Sequence, residues 1–156
     1  MIRILFVCHG NICRSPMAEF VFKDIVRRAG KEKDFIIASA ATSSEEIGND
    51  IHRGTKNKLT EEGIPFEHRG ARQLSHEDYG KWDMLLGMDS MNVKNMLRIF
   101  GGDKEGKIKR LLDFTYHPRD IADPWYTGNF DITYDDITEG CKALLDSLIE
   151  KEPARL

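Results

Sequence analysis

The chain opens on a nearly unbroken apolar and β-branched run, Ile2-Arg3-Ile4-Leu5-Phe6-Val7, which gives way to a tight loop, Cys8 to Arg14, and then to a helix start at Ser15-Pro16. A run of this kind suits a parallel strand covered on both faces, because only such a strand needs apolar side chains at both parities. Its expected place is the centre of a sheet. Proline is tolerated in the first helical turn, and Ala18, Val21, Phe22, Ile25, Val26 and Ala29 then recur at helical spacing as far as Gly30. Strand, tight loop and helix form the opening unit of an α/β architecture.

The alternation continues down the chain. Phe35 to Ala38 reads as a second strand, and Lys56 to Glu62, with Gly63 behind it, as a short helix ended by glycine. Ser75 to Lys81 begins with a capping residue, Met84 to Gly87 is a third strand, Ser90 to Phe100 a helix closed by Gly101-Gly102, and Lys107 to Leu112 a fourth strand. The last helix, Tyr134 to Ile149, sets Ile137, Cys141, Leu144, Leu145, Leu148 and Ile149 on one face, and the charged tail from Glu150 is expected to fray. This order predicts an α/β fold, an open four-stranded parallel sheet flanked by helices on both faces as three layers, α/β/α. Ligands of such sheets bind at the carboxyl ends of the strands. Two long, turn-rich connections, Ser39 to Thr55 and Thr115 to Asn129, are the expected walls of that site.

The 156 residues, 40% hydrophobic, suit one domain over residues 1–156. A net charge of −3 supplies no electrostatic footprint for nucleic acid or an anionic membrane. No signal-peptide pattern or membrane-length apolar stretch is present, and three cysteines suit reduced thiols better than a disulfide framework, so the expected compartment is the cytoplasm.

The loop Cys8-His9-Gly10-Asn11-Ile12-Cys13-Arg14-Ser15 sets a thiol and a guanidinium at its two ends, between a buried strand and a helix N-terminus. Inward-pointing backbone N–H groups and the positive end of the helix favour a tetrahedral oxyanion such as phosphate, so His9, Gly10, Asn11, Ile12, Cys13, Arg14 and Ser15 are the expected phosphate cradle. The same field favours Cys8 as a thiolate, nucleophilic at neutral pH. Arg14 can bind two phosphoryl oxygens with its planar fork, and Ser15 can donate its hydroxyl to the Cys8 sulfur. Gly10 permits close approach, and Asn11 tolerates the left-handed conformation that an anion nest needs. Without the strand and helix around it, a cysteine and an arginine at this spacing would equally suit a core thiol and a surface charge.

The run Val7 to Pro16, V-C-H-G-N-I-C-R-S-P, resembles the signature of the low-molecular-weight protein tyrosine phosphatases. The similarity extends through Ser39-Ala40-Ala41-Thr42-Ser43, Ala71-Arg72-Gln73, Gly87-Met88-Asp89 and Asp123-Pro124-Trp125-Tyr126. The resemblance implies that Cys8 attacks phosphorus, Arg14 holds the phosphate, and Asp123 protonates the leaving phenolate and then activates the water that hydrolyses a phosphocysteine. It implies a phosphotyrosine-containing protein or small aryl phosphate as partner, no metal and no cofactor, and a monomer or weak dimer. Asn11, Ser39 and Asp89 become supports of the loop, with His68 a further candidate, and Glu45, Trp125 and Tyr126 become walls around the substrate ring. Cys13 is implied as a partner that captures an oxidised Cys8 in a reversible disulfide.

Each assignment has a plainer counterpart. Asp123-Pro124 alone reads as a turn, Trp125 as a buried aromatic, Asp89 as a helix cap, Cys13 as a small loop filler and Cys141 as a core residue. His9, His52, His68, His76 and His117 lack paired metal-ligand spacing, and Lys23, Arg27, Arg28, Lys31 and Lys33 suit an exposed helix face. Two positions depart from the resemblance: Glu45 stands where an aromatic residue is usual on the rim, and Ala41 where glycine is usual. A carboxylate there would repel acidic substrates and favour basic ones. Three alternatives stay open. Arsenate reductase would need two further cysteines, and only Cys141 is available. A protein-arginine phosphatase would carry threonine where Ile12 stands, and a non-catalytic phosphate-binding module would lack a nucleophile or acid.

Overall fold

The structure is a computed structural model that describes residues 1–151. Four strands, β1 (Ile2–Cys8), β2 (Phe35–Ala41), β3 (Met84–Gly87) and β4 (Ile108–Arg110), form one parallel sheet in the order β2-β1-β3-β4. The opening apolar run is thus an interior strand. Its parity divides the core. Ile2, Ile4, Phe6 and Cys8 pack with α1 (Arg14–Arg28) and α6 (Phe130–Lys151), while Leu5 and Val7 pack with Leu85, Ile108 and α4 (Ser90–Phe100) on the other face. Both parities are buried except at Arg3 near the strand's start, as three layers require.

Several boundaries differ from expectation. β2 runs on to Ala41 because Ser39, Ala40 and Ala41 pair with Phe6, Val7 and Cys8, so Ser39 lies in a strand and not in the following loop. The short helix α2 (Arg53–Glu61) starts earlier, where the His52 ring accepts a hydrogen bond from the Gly54 N–H at 3.0 Å. The helix α3 (Asp78–Lys81) is a single turn, because Ser75 is spent upstream donating its N–H to Asp78 Oδ2 at 2.8 Å. β4 stops at Arg110, and Leu111 and Leu112 turn in a 3-10 helix to bury themselves against α6. α6 begins at Phe130 and continues through Glu150 and Lys151, where fraying was expected; the rest of that tail, 152–156, lies outside the described residues. Gly101, at φ 72°, ends α4 as expected.

Both long connections are anchored to the carboxyl end of the sheet. The first is zipped by Gly48 N–H to Ala71 O at 2.8 Å and Ala71 N–H to Asn49 O at 2.7 Å. The second is tied by Ile121 N–H to Met88 O at 2.9 Å, and then forms the turn α5 (Pro124–Thr127), which Asp123 caps by accepting the Trp125 N–H at 3.0 Å. No helix among the described residues is long and apolar enough to cross a membrane.

Candidate active site

β1 ends at Cys8 and α1 begins at Arg14, so the loop between them must reverse the chain over the end of the central strand. Its carbonyls are taken up by neighbouring segments. Cys8 O accepts from Thr42 N–H at 3.0 Å, His9 O from Ser43 N–H at 3.1 Å, Ile12 O from His52 N–H at 2.8 Å, and Cys13 O from Thr55 Oγ1 at 3.1 Å. In a trans peptide the N–H lies opposite the C=O, so a loop whose carbonyls face outward turns its amides inward. The first turn of α1 carries no acidic residue to cancel the positive end of its dipole, and Arg27 and Arg28 suit the negative end.

Asn11 makes the turn possible. At φ 59° it is the only non-glycine residue with positive φ among the described residues, in a conformation that asparagine tolerates better than most. Its N–H points to the Cys8 sulfur at 3.3 Å. Its side-chain Nδ2 donates to Ser15 Oγ at 2.8 Å and to Ser39 Oγ at 2.9 Å, and Ser39 in turn donates to Glu19 Oε1 at 2.6 Å. Ser15 Oγ accepts from Asn11 and keeps a proton free to be given to Cys8 Sγ, 3.0 Å away. With Ser15 as donor, the sulfur has a backbone and a hydroxyl donor, both suited to a thiolate.

Arg14 is almost fully buried. Its Nη1 donates to Asp89 Oδ2 at 2.8 Å and to Ile121 O at 2.7 Å, while Nη2 lies 3.4 Å from Asp123 Oδ2. Burial opposes the charge, but the Cys8 sulfur, Asp89 and Asp123 outweigh it and hold the guanidinium above its ordinary value. Asp89 is both helix cap and anchor: Oδ1 accepts the Asn92 N–H at 2.8 Å at the start of α4, leaving Oδ2 for Arg14.

These groups open into one cavity. Cys8, Ile12, Cys13 and Arg14 contribute to its lining, together with His9 and Gly10 of the same loop, Glu45 and Glu46 of the first long connection, and Asp123, Trp125 and Tyr126 of the second. Trp125 and Tyr126 are largely exposed, so burial does not account for either. The Trp125 ring meets the edge of His52, which stacks on Phe130 at 5.5 Å, so α6 backs the aromatic wall. Glu45 Oε2 is 2.8 Å from His9 Nε2. Cys13 shares the cavity with Cys8; burial first, and the neighbouring Cys8 second, push its thiol up to about 12. All three cysteines are unpaired. Among the described residues, no group of three His, Cys, Asp or Glu side chains could hold a metal ion.

Of the expected cradle, Asn11 and Ser15 do not line the cavity; both are fully buried and meet the sulfur from outside it, Ser39 lies one hydrogen bond further back, and the partly exposed Asp89 holds Arg14 instead. His68 does not join them, since its Nδ1 turns to Asp50 Oδ2 at 2.7 Å on the exposed surface. The structure adds residues the sequence did not single out: Glu19, Glu46 and Arg69, whose Nη2 donates to Asn11 O at 2.6 Å. Glu19 carried one signal, an acid on the buried face of α1 one turn beyond Ser15. Cys141 is wholly enclosed in the core, remote from any relay.

The model of the family described as "Low molecular weight phosphotyrosine protein phosphatase" matches residues 3–154. The low molecular weight protein-tyrosine-phosphatase YfkJ of Bacillus subtilis is 43% identical over 154 residues, covering 97% of this chain and 98% of that protein. Its crystal structure superposes with a TM-score of 0.91 at 41% identity, covering 97% of each chain. The low molecular weight phosphotyrosine protein phosphatase of Rattus norvegicus is 38% identical over 148 residues, 92% of this chain and 93% of that one. A drosophila arginine phosphatase shares the fold at a TM-score of 0.84 and 27% identity, over 92% of this chain and 96% of its own. Matched along nearly its whole length, the chain belongs to the low molecular weight phosphotyrosine protein phosphatase family.

Proposed function

We propose that this protein hydrolyses phosphotyrosine and other aryl phosphates through a phosphocysteine intermediate, with Cys8 as nucleophile, Arg14 as phosphate clamp and Asp123 as acid and base. The observation that carries this reading is that sulfur, guanidinium and carboxyl group share one cavity whose open side bears two exposed aromatic rings. The phosphoryl group sits between the loop amides and Arg14, and the Cys8 sulfur attacks phosphorus in line with the ester oxygen. As the S–P bond forms and the P–O bond breaks, protonated Asp123 gives its proton to the departing phenolate oxygen. The resulting carboxylate then takes a proton from a water whose oxygen attacks phosphorus, releasing phosphate and the thiolate. Fixed donors matched to the charge of the transition state supply most of the acceleration.

Ile12 on the cavity lining supports an aryl ester over phosphoarginine, since an apolar side chain there offers no hydrogen bond to a guanidinium. The proposed setting is the cytoplasm, supported by three unpaired thiols, with the protein a monomer or weak dimer acting on phosphotyrosine-containing proteins or small aryl phosphates. Initial rates with phenyl phosphate, phosphoarginine and arsenate, with and without a chelator, test the reading. Aryl phosphate is expected to turn over regardless of chelator, Cys8→Ser to abolish turnover, and Asp123→Ala to slow it by about 10²- to 10⁴-fold, most for poor leaving groups. Unchanged hydrolysis of phenyl phosphate by Asp123→Ala would remove that residue from its role.

A further inference from the structure

Arg69 lies outside the cavity, on the segment between α2 and α3, yet it touches the phosphate loop directly. Its Nη2 donates to Asn11 O at 2.6 Å, a charge-assisted bond to the residue held at φ 59°. That peptide is critical, because the N–H of the same residue is the backbone donor to the Cys8 sulfur. Arg69 is positioned in turn by Asp50, whose Oδ1 accepts its N–H at 3.1 Å. Its remaining Nη1 is buried and has no hydrogen-bond partner among the described residues.

The nearby carboxylates do not neutralise this guanidinium in a direct pair. Glu19 Oε2 is bound to Lys23 and Oε1 to Ser39, while Asp50 Oδ2 is taken by Lys56 and His68. Holding a cation with an unpaired buried N–H costs free energy, which makes structural packing alone a poor account of arginine here. A buried positive charge acts over several ångströms in this low-dielectric setting, and the Cys8 sulfur is within its range.

We propose that Arg69 is a positioning residue of the reaction: it clamps the Asn11 carbonyl so that the Asn11 N–H stays aimed at Cys8, and it keeps a second positive charge behind the sulfur. Arg14 faces the substrate, and Arg69 serves the nucleophile from the opposite side of the loop. The inference rests on Cys8 being the nucleophile. Its own readout, alkylation of that sulfur, requires no turnover, so the two ideas fail separately.

The test compares full-length wild type with Arg69→Met, which keeps the apolar stem, and Arg69→Lys, which restores the charge without the fork. Iodoacetamide labelling of Cys8, followed by intact mass, is measured near neutral pH and in alkali, beside kcat and KM for phenyl phosphate. For Arg69→Met the neutral-pH labelling rate should fall about three- to ten-fold and converge with wild type in alkali, where the thiol is ionised in both. The loss in kcat/KM should be carried by kcat, because the charge acts on the nucleophile and not on substrate binding. Arg69→Lys should recover part of the labelling rate. If Arg69→Met melts before assay, Arg69→Gln, which retains a donor but no charge, carries the same expectation. A folded, uncharged variant that labels at the wild-type rate at neutral pH overturns the proposal.

Discussion

Asp89 divides its carboxylate between two structures, with Oδ1 capping α4 and Oδ2 lying 2.8 Å from Nη1 of Arg14. The buried guanidinium is thus held by the start of the helix that follows β3, on the far side of the sheet from α1 and α6. Orientation of the Arg14 guanidinium is tied to the fold itself, and the two duties of Asp89 can be separated by substitution.

Asp89→Asn preserves an effective helix cap but removes the charge facing Arg14. Activity on an aryl phosphate is expected to fall by about 10- to 100-fold, and the melting temperature to drop as the buried guanidinium loses a charged partner. Asp89→Ala should lose the same activity and, in addition, about 1 kcal/mol of stability with the cap. Steady-state kinetics beside thermal melts decide it; equal stability of the two variants would show that the cap contributes nothing.

Glu45 sets a carboxylate on the same cavity that Trp125 and Tyr126 line. Phosphotyrosine peptides with lysine or arginine beside the target residue should be hydrolysed about three- to ten-fold faster, in kcat/KM, than peptides with acidic neighbours. The preference should shrink with added salt, since the side chain is solvent-exposed, and shrink again in Glu45→Gln. A Glu45→Gln enzyme with an undiminished preference would assign the selectivity elsewhere.

Acid should destabilise the protein partly through Asp78. Burial would raise the pKa of this carboxyl group, but Arg72, which reaches both oxygens at 3.1 Å, together with the Ser75 N–H and Trp82, outweighs burial and holds it below the ordinary range. A depressed folded-state value means that the stabilisation is fully present above the unfolded value of about 3.9 and is lost as pH falls through the lower folded value. Asp78→Asn should cost on the order of 2 kcal/mol at neutral pH, trimmed by the solvent that reaches Arg72, with the gap to wild type closing in acid. Urea titrations across pH measure that gap.

Gly54 is pressed against the Phe130 ring so closely that an added Cβ would lie 2.2 Å from its nearest carbon. Gly54→Ala is expected to cost about 1–3 kcal/mol by overpacking. Since Phe130 stacks on His52, and His52 meets Trp125, the displacement should also raise KM for aromatic substrates. Chemical denaturation and KM for phenyl phosphate test the two parts together.

What could be read from the sequence was what is local. The run from Ile2 through Pro16 carries its strand, loop and helix signals within itself, and Cys8 and Arg14 therefore emerged together. Asp123 illustrates a partial reading: the plain expectation of a turn is true, since it caps α5, and its other oxygen still faces Arg14. Of the partners of Asn11, Ser15 is local and Ser39 came only with the resemblance, while Arg69 was beyond reach because it arrives from a distant segment. Arg69 lies on a stretch with no periodicity, and nothing in its neighbourhood distinguishes it from His68, which was named and faces solvent. Ser39 to Ala41 looked like the start of a loop because small residues have weak strand preference; pairing with the end of β1 overrode that preference.

Cys141 is sealed in the core with its sulfur facing Ala18 O, and burial drives its thiol far above the ordinary value. Cys13, although beside the cavity, is also held in the neutral form near physiological pH. Of the three cysteines, Cys8 alone combines a place on the cavity lining with hydrogen-bond partners at its sulfur, so the reading proposed above expects a maleimide or chloroacetamide to take a single site on the folded protein. Uptake of one equivalent becomes a head-count of competent molecules in a preparation, and any further equivalents measure the fraction that has come apart.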